Sequence, residues 1–386
     1  MSSEREKAYM TLPQTTRYAH ISLDNILSGP SLPPVIEGSV TGTRTHLTDQ
    51  PYRYCSQEKL SHLADLLIAF TQKHAALYEA DRQSLYTRFA IPKKTGGLRW
   101  INKPSEPMSL ALIELRTIFE FALPYGYHTS AFAYVKGRQT LDALKKHKAA
   151  ESKWFLKLDL HDFFGSTTKE FVLSMLSHIV PFNLICEEPT WKKALEDSID
   201  LAFLNGGLPQ GSELSPMLTN IIMIPFDFEL TRALEKFGRK VYTYTRYADD
   251  LVISCRTGFN PRVIKETIRS VFEILDAPYT FKEEKTKYGS SSGNNWMLGL
   301  ILNKDNDITI GHKNKKQFRA MCCSFIGDCA RNNPWPLEDV QHLAGLLSYY
   351  DNIEPQYFSS LISKINEKNH VDFRKMLRSA LKGDLS

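Results

Sequence analysis

The sequence lacks the features that mark membrane and secreted proteins. No hydrophobic run reaches the eighteen or so residues of a membrane-spanning helix, because Lys, Asp or Pro interrupts each one. The N-terminal stretch MSSEREKAYM has no apolar core of the kind that a secretory signal peptide carries. These absences predict a cytoplasmic protein that does not bind a membrane.

Cysteine is also sparse and shows no pattern. The six cysteines form no CxxC pair and no disulfide-like spacing, which argues against a zinc site and favours a reducing compartment. The 386 residues are 42% hydrophobic and 24% charged, as expected for a globular protein of about two or three structural units. A net charge of +5 permits a polyanionic partner without requiring one.

The stretch YTYTRYADDLVISC, residues 242–255, places two β-rich runs around a short connection. That connection holds Ala248, Asp249 and Asp250 and has none of the Asn-Gly or Asp-Gly pairs typical of two-residue hairpins. A further carboxylate, Asp159, lies in the apolar run WFLKLDLHDFF. Strand alternation puts Leu156, Leu158 and Leu160 on one face of that run, and Phe155, Lys157 and Asp159 on the other.

Helices and strands alternate through this region in the order β-α-α-ββ-α-β. The last strand is predicted at YTFKE, residues 279–283, and a long helix at about 212–234. This order fits a ferredoxin-like split-βαβ sheet with helices on one face, so that Asp159 meets the Asp249–Asp250 turn on the open side. A solvated surface turn is the simpler alternative.

Three converging carboxylates repel one another and raise their own pKa values, which divalent cations relieve. Mg²⁺ prefers oxygen ligands shared between carboxylates and phosphates. Two such ions can activate a 3′-hydroxyl and stabilise a leaving pyrophosphate, so the pattern suggests nucleotidyl transfer.

Four segments, in order between about residues 86 and 302, carry a resemblance to reverse transcriptases. YADDLVIS resembles the Tyr-x-Asp-Asp box, and FLKLDLHDFFGS resembles the first aspartate box. GLPQGSELSPMLTNI looks like the loop–helix box between them, and FAIPKKTGGLRWINKP is similar to the fingers hairpin. The resemblance implies an α+β right-hand polymerase with fingers, a ferredoxin-like split-βαβ palm and a helical thumb.

The same resemblance suggests a division of the chain. Residues 1–55 form an N-terminal arm, and residues 56–150 form the fingers. The palm with the catalytic aspartates covers 151–295, with part of the fingers interleaved. Residues 296–386 supply the primer grip and the helical thumb.

Carried over by position, the resemblance makes Asp159, Asp249 and Asp250 metal ligands, helped by the backbone carbonyl of Leu160. The implied cofactor is a pair of Mg²⁺ ions, with Mn²⁺ as a substitute. Lys285 falls where the family has a lysine near the leaving pyrophosphate and is a candidate general acid, although Lys282 and Lys287 lie beside it.

Further positions match residues that contact nucleotide or nucleic acid. Phe164 corresponds to the steric gate against a 2′-hydroxyl, next to Phe163, for which ordinary core packing stays open. Other nucleotide contacts are predicted at the fingers cations Lys93 and Arg99, and at Gln210 and Gly211. Glycines at 206, 207 and 211 let the backbone approach a ligand, and Ser212 is predicted to cap the following helix. The predicted nucleic-acid contacts are Gly299 of the primer grip and the basic residues Lys313, Lys315, Lys316 and Arg319.

The segment LAGLLSYYDNIEPQYFSSLISKI resembles the thumb of retron and antiphage reverse transcriptases. Two elements depart from the retron pattern: Met297-Leu298-Gly299 replaces Val-Thr-Gly, and Asp142-Ala143 precedes His147 with one residue too many. A retron enzyme and another antiphage reverse transcriptase therefore both stay open.

We expect an RNA-directed DNA polymerase that adds dNTPs to a DNA or RNA primer on an RNA template. A dedicated structured non-coding RNA and an effector protein, in antiphage defence, are the expected partners. One alternative is template-free or protein-primed synthesis, as in abortive-infection relatives, with priming hydroxyls at Tyr9, Tyr18, Tyr52 and Tyr54. The other is a catalytically silent scaffold that binds nucleic acid.

Overall fold

A computed structural model describes residues 55–93, 96–123, 126–292 and 296–383. The predicted N-terminal arm and its tyrosines, at residues 1–54, lie outside these residues. The helices of the described part are α1 Gln57–Lys73, α2 Ala75–Glu79, α3 Glu106–Ala122, α4 Thr140–Ala149, α5 Lys169–Leu176, α6 Phe182–Ile185, α7 Pro189–Asp200, α8 Ser215–Glu235, α9 Pro261–Ile274, α10 Gly311–Ala330, α11 Leu337–Ile353, α12 Pro355–Asn369 and α13 Phe373–Lys382. The strands are β1 Tyr86–Pro92, β2 Leu98–Pro104, β3 Trp154–Asp159, β4 Thr243–Tyr247, β5 Asp250–Cys255, β6 Lys287–Ser290, β7 Trp296–Met297, β8 Leu300–Leu302 and β9 Ile308–Thr309.

The central sheet is antiparallel, with strand order β4-β5-β3-β6. This is the order of a split-βαβ sheet, in which the first strand lies between the third and the fourth. The α+β class and the ferredoxin-like split-βαβ sheet expected from the sequence are thereby confirmed. Because β3 pairs with β5 on one side and β6 on the other, it is an interior strand along its length from Trp154 to Lys157.

The fourth strand of this sheet is not where the sequence suggested. In the predicted strand 279–283, only Phe281 forms an isolated bridge, to Leu160, and a 3-10 turn follows at Glu283–Lys285. Around that bridge the Lys282 N–H donates to the Asp159 carbonyl and the His161 N–H to the Thr280 carbonyl, each at 2.8 Å, so the segment adds one bridge but no full strand. Tyr279 is buried and its hydroxyl lies 2.9 Å from that of Thr167. The edge strand is β6, Lys287–Ser290.

Both faces of the central sheet are covered, although helices were expected on one face. Leu156, Leu158 and Leu160 pack into the larger hydrophobic cluster with α3, α5, α8 and α9. Phe155 and Val252, on the other face, belong to a second cluster that includes residues of α4 and of β7–β9. The second cluster thus covers the Phe155 end of β3, and Asp159 lies at the other end of the strand.

One of the two serine caps predicted from the sequence is present at a helix start. Ser56 accepts a hydrogen bond from the Lys59 N–H at 3.3 Å, as a helix N-cap does. Ser212 does not cap α8, because that helix begins at Ser215; its hydroxyl accepts from the Leu214 N–H in the preceding turn. Among the described helices, none has both the length and the apolar character needed to span a bilayer.

Candidate active site

Strand register brings the predicted carboxylates together. Asp159 ends β3, Asp250 begins β5, and the two are direct partners across the sheet. Asp249 lies in the turn that joins β4 to β5, where its carbonyl accepts a 3.0 Å hydrogen bond from the Leu160 N–H. The carbonyl of Leu160, the remaining predicted ligand, follows at the same edge of the sheet.

The turn places an alanine where two-residue hairpins usually have glycine or asparagine. Tyr247 pairs with Asp250, so Ala248 and Asp249 form a two-residue connection, and Ala248 has φ +56°. A left-handed first residue matches the twist of the flanking strands, although it costs a non-glycine residue about 1–2 kcal/mol. The small side chain of Ala248 is buried beneath the turn, which holds Asp249 at the tip.

Two lysines lie against Asp159. The Lys285 Nζ donates to Oδ2 at 2.7 Å, and this hydrogen bond raises the pKa of Lys285. The Lys282 Nζ lies 2.7 Å from Oδ1 without hydrogen-bond geometry, so Oδ1 is a buried acceptor that lacks a hydrogen bond. Lys287, which sequence could not separate from these two, lies on β6 opposite Lys157.

The carboxylate cluster carries more negative charge than these lysines offset. Burial, and then Asp249 and Asp159, raise the pKa of Asp250 to about 7. Burial and Asp159 also raise the pKa of Asp249, against a smaller lowering by Lys282 and Lys285. Further positive charge at this edge would relieve the repulsion.

The donor set suits a hard divalent cation in an open site, where water and substrate complete the metal's coordination shell. Among the described residues, no three His, Cys, Asp or Glu side chains are placed so that they could hold a metal ion by themselves. Mg²⁺ typically takes one or two carboxylates and completes its shell with water and substrate phosphates. The carboxylate oxygens, with Oδ1 of Asp159 free of hydrogen bonds, suit such an open site.

The two phenylalanines after the first aspartate lie in different surroundings. Phe163 is 2% exposed and packs against Tyr279, so its ring belongs to the core. Phe164 is half-buried, and its carbonyl accepts from the Leu208 N–H at 3.0 Å. Only Phe164 therefore offers part of its ring to a ligand.

Two of the three glycines of the loop before α8 lie close against other parts of the protein, whereas Gly206 has no neighbour within 4 Å of a Cβ position. A Cβ on Gly207 would lie 2.1 Å from the Gly165 carbonyl oxygen. Gly211, with φ +110°, would place one 2.7 Å from Cγ2 of Ile101 in β2. Since the Asn102 N–H also donates to the Gln210 carbonyl at 2.8 Å, this loop joins the β1–β2 hairpin to the central sheet.

The β1–β2 hairpin presents both predicted triphosphate cations to solvent. Lys93 precedes the turn and its N–H donates to the Gly97 carbonyl at 2.9 Å, while Arg99 is paired with Ile91. Gly96 and Gly97 have φ of +88° and +80°, which the turn requires. Burial, and then Asp249 and Tyr247, raise the pKa of the Tyr134 hydroxyl, against a smaller lowering by Arg99.

Sequence reasoning missed a buried ion pair behind the carboxylates. The guanidinium of Arg246, in β4, makes bidentate contact with Asp227 of α8, and both side chains are fully buried. Tyr244 also donates to Asp227 at 2.7 Å. The available signal was a charged residue at an interior position of an apolar strand, since such a residue needs a partner.

The predicted nucleic-acid residues of the C-terminal helices divide into two groups. Lys315 is paired with Glu354 at 2.5 Å and stacks 4.0 Å from the centre of the Tyr357 ring, so its charge is engaged within the protein. Lys313, Lys316 and Arg319 are exposed. Leu298 and Gly299, with φ of +54° and +82°, form the two-residue turn between β7 and β8.

Residues 91–322 match the family described as reverse transcriptase (RNA-dependent DNA polymerase). The chain belongs to the reverse transcriptase family. It is 29% identical over 301 residues to the retron Ec83 reverse transcriptase of Escherichia coli, covering 75% of this chain and 90% of that protein. The retron Ec73 reverse transcriptase of the same species is 27% identical over 282 residues, covering 72% and 86%.

These relatives identify an RNA-directed DNA polymerase of the retron type. The departures at Met297-Leu298 and before His147 therefore do not exclude this reverse transcriptase from the retron group. A solved structure of apo telomerase from Candida Tropicalis aligns with a TM-score of 0.46 at 12% identity, covering 77% of this chain and 61% of that one. That likeness is too low to add to the assignment.

Proposed function

We propose that this reverse transcriptase extends a primer by nucleotidyl transfer at Asp159, Asp249 and Asp250, using two Mg²⁺ ions or Mn²⁺ in their place. The observation that carries the proposal is the register pairing of Asp159 with Asp250, together with the Asp249 turn folded over the end of β3. This geometry concentrates three carboxylates whose charge the neighbouring lysines leave partly uncompensated.

Each residue of the cluster has a proposed task. The ions, when bound, would activate the primer 3′-hydroxyl and stabilise the leaving pyrophosphate. Asp159, Asp249, Asp250 and the Leu160 carbonyl would hold them. Lys285, whose side chain is 54% exposed, can reach a leaving phosphate, whereas Lys282, at 22%, stays against Asp159.

The incoming dNTP would lie between the central sheet and the β1–β2 hairpin. Lys93 and Arg99 suit triphosphate oxygens, because both are exposed on this hairpin and Arg offers bidentate contacts. Phe164 would exclude a 2′-hydroxyl, supported from the core by Phe163. Gln210 and Gly211, through their contacts with β2, would set the distance between the β1–β2 hairpin and the central sheet.

We further propose that the template is a dedicated structured RNA, copied in the cytoplasm as part of antiphage defence with an effector protein. The similarity to two retron reverse transcriptases supports a private template. The exposed cations Lys313, Lys316 and Arg319 give the C-terminal helices a surface for an RNA backbone. The division into arm, fingers, palm and thumb stays part of this proposal.

Substitution of a carboxylate tests the chemistry. Asp249→Asn keeps side-chain volume and removes metal-binding charge, so we expect Mg²⁺-dependent primer extension to fall by about 10²–10³-fold or more. Asp305→Asn, in an exposed loop, is the matched control and should retain full activity. Near-normal extension by Asp249→Asn would contradict the assignment.

Sequencing of the RNA and new DNA bound to the protein from its native host tests the template. One enriched RNA with complementary DNA would support a dedicated template, and a broad sample of transcripts would contradict it. A homopolymer or simple repeat without matching RNA would favour the template-free alternative, whose proposed priming tyrosines lie outside the described residues. Extension that depends on Asp249 would exclude the silent scaffold.

A further inference from the structure

Residues 127–134, which we call the strap, run along the edge of β4 and end beside the carboxylate turn. Ala131 forms a parallel bridge with Arg246 of β4. The Ser130 carbonyl accepts from the Arg246 N–H at 2.7 Å, and the Phe132 N–H donates to the Arg246 carbonyl at 2.9 Å. The strap is thus joined by backbone to the strand that leads into Asp249.

Side chains fix the strap at further points. Asn220 of α8 donates to the Ala133 carbonyl at 2.6 Å and accepts from Nη1 of Arg246 at 2.9 Å. On the other side, Arg138 donates to the carbonyls of His128 and Ala131 at 2.6 Å each. Because Asn220 and Arg246 are both fully buried, this network is rigid and excludes water.

The residue at the end of this rigid segment is Tyr134. Its backbone has φ +57°, an unfavourable conformation for a tyrosine, which costs about 1–2 kcal/mol. Tyr134 is nevertheless 56% exposed, compared with 42% for Tyr349 and 39% for Tyr357. A strained residue that the surrounding structure holds in place, with an exposed ring, is typical of a binding group.

The surroundings of Tyr134 indicate which ligand its ring would meet. The strap runs parallel to β4 from the Ala131–Arg246 bridge, and Tyr134 and Asp249 each follow three residues later. Asp249, Tyr247 and Arg99 of the hairpin all act electrostatically on the Tyr134 hydroxyl. With Asp249 as a proposed metal ligand and Arg99 as a proposed triphosphate contact, a ring close enough to interact with both would face the incoming nucleotide.

We propose that Tyr134 is a nucleotide-binding residue whose ring packs against the incoming deoxynucleotide, with the Arg246–Asp227–Asn220 network as its positioning device. The inference rests on the proposed function, because it takes Arg99 and Asp249 as the two ends of the nucleotide site. Ring packing tolerates every base, so this contact adds affinity without selecting sequence.

The test is steady-state primer extension with each dNTP, together with a separate titration of primer–template binding. Tyr134→Ala should raise the KM for dNTP about tenfold, with kcat at saturating dNTP and primer–template affinity within about twofold of the parent. Tyr134→Phe, which keeps the ring, should retain the parental KM. Tyr349→Ala, which removes an exposed tyrosine from α11, is the control and should change nothing.

Tyr134→Asn guards against a folding failure, because Asn tolerates a left-handed backbone and should raise the KM as Ala does. An unchanged KM in both truncations would overturn the inference, and so would weaker primer–template binding with an unchanged KM. Asp249→Asn separates the two proposals. If it stays active while Tyr134→Ala raises the KM, the metal assignment fails and the nucleotide contact stands.

Discussion

At the scale of single residues, position in a strand decided which predictions could be made. Asp159 and Asp250 could be placed at one edge because alternation and strand order are legible in the sequence. Core packing of Phe163 could only be left open, because its ring packs against Tyr279, more than one hundred residues away. Long-range packing of this kind leaves no local pattern.

Phe164→Ala should admit ribonucleotides, because a half-buried ring that meets the sugar would exclude the 2′-hydroxyl by overlap. The measurement is the ratio of kcat/KM for dNTP to that for rNTP, which should fall by at least about tenfold. Phe237→Ala, which removes an exposed ring just after α8, is the control and should leave the ratio unchanged. An unchanged ratio in Phe164→Ala would place the gate elsewhere.

Lys93→Ala and Arg99→Ala should each weaken dNTP binding. A lost charge-assisted contact costs about 1.5–3 kcal/mol, so the KM for dNTP should rise about tenfold or more. Arg88→Ala is the control on the same hairpin, since Arg88 packs on Trp100 and faces away from Arg99. Nucleotide dependence that stays parental in both variants would show that the hairpin has another task.

At the scale of elements, tertiary contacts overrode local propensity. The run YTFKE has strand-forming residues, yet Tyr279 packs into the core and the edge strand forms later, at β6.

Helix α4 was not predicted, and its single buried histidine, His147, attaches it to the sheet. His147 contacts Ser254 Oγ at 2.5 Å and Thr245 Oγ1 at 2.8 Å, which joins α4 to β5 and β4.

This attachment makes stability depend on pH. Burial, and then Lys146 and Lys157, lower the pKa of His147 to about 3, whereas an unfolded histidine titrates near 6.5. Above pH 6.5 neither state binds the proton, so His147 has no effect. Below it only the unfolded state does, so the free energy of unfolding should fall by up to about 1.4 kcal/mol per pH unit down to about pH 3.

Urea unfolding between pH 7 and pH 4 measures this slope. His147→Gln should be less stable at pH 7 but should lose less stability per pH unit, because the titrating group is gone. His342→Gln, at an exposed site, should keep the parental slope. If His147→Gln and the parent have parallel pH profiles, His147 is not the group that excludes the proton.

At the scale of the whole molecule, the net charge of +5 does not show which cationic side chains can contact a polyanion, because several of them are paired with carboxylates inside the protein. Lys282 and Lys285 are paired with Asp159, and Arg246 with Asp227. In the C-terminal helices, Lys315 is held by Glu354, whose other oxygen accepts from the Ile310 N–H at the start of α10. Charge that is exposed and unengaged, not total charge, determines contact with a polyanion.

The C-terminal surface extends beyond the basic run that the sequence shows. Arg319 lines a groove of about 190 Å³ together with Lys364 and Lys368 of α12. Tyr357, at the same groove, is 39% exposed and packs under Lys315. Since α10 and α12 are distant in sequence, local charge counting could find only the α10 half of this surface.

Substitution of the α10 lysines Lys313, Lys315 and Lys316, one at a time, should distinguish those that contact nucleic acid from those that stabilise the helices. Lys313→Ala and Lys316→Ala should each reduce the slope of log K against log salt by roughly 0.7–0.9 for RNA binding, because each exposed lysine releases about one counterion. Lys315→Ala should leave the slope unchanged and lower the free energy of unfolding by about 1 kcal/mol, since it loses its pairing with Glu354. Filter binding across a salt series and urea unfolding measure the two effects. A salt slope that changes in Lys315→Ala but not in Lys313→Ala or Lys316→Ala would show that RNA meets a different face of α10.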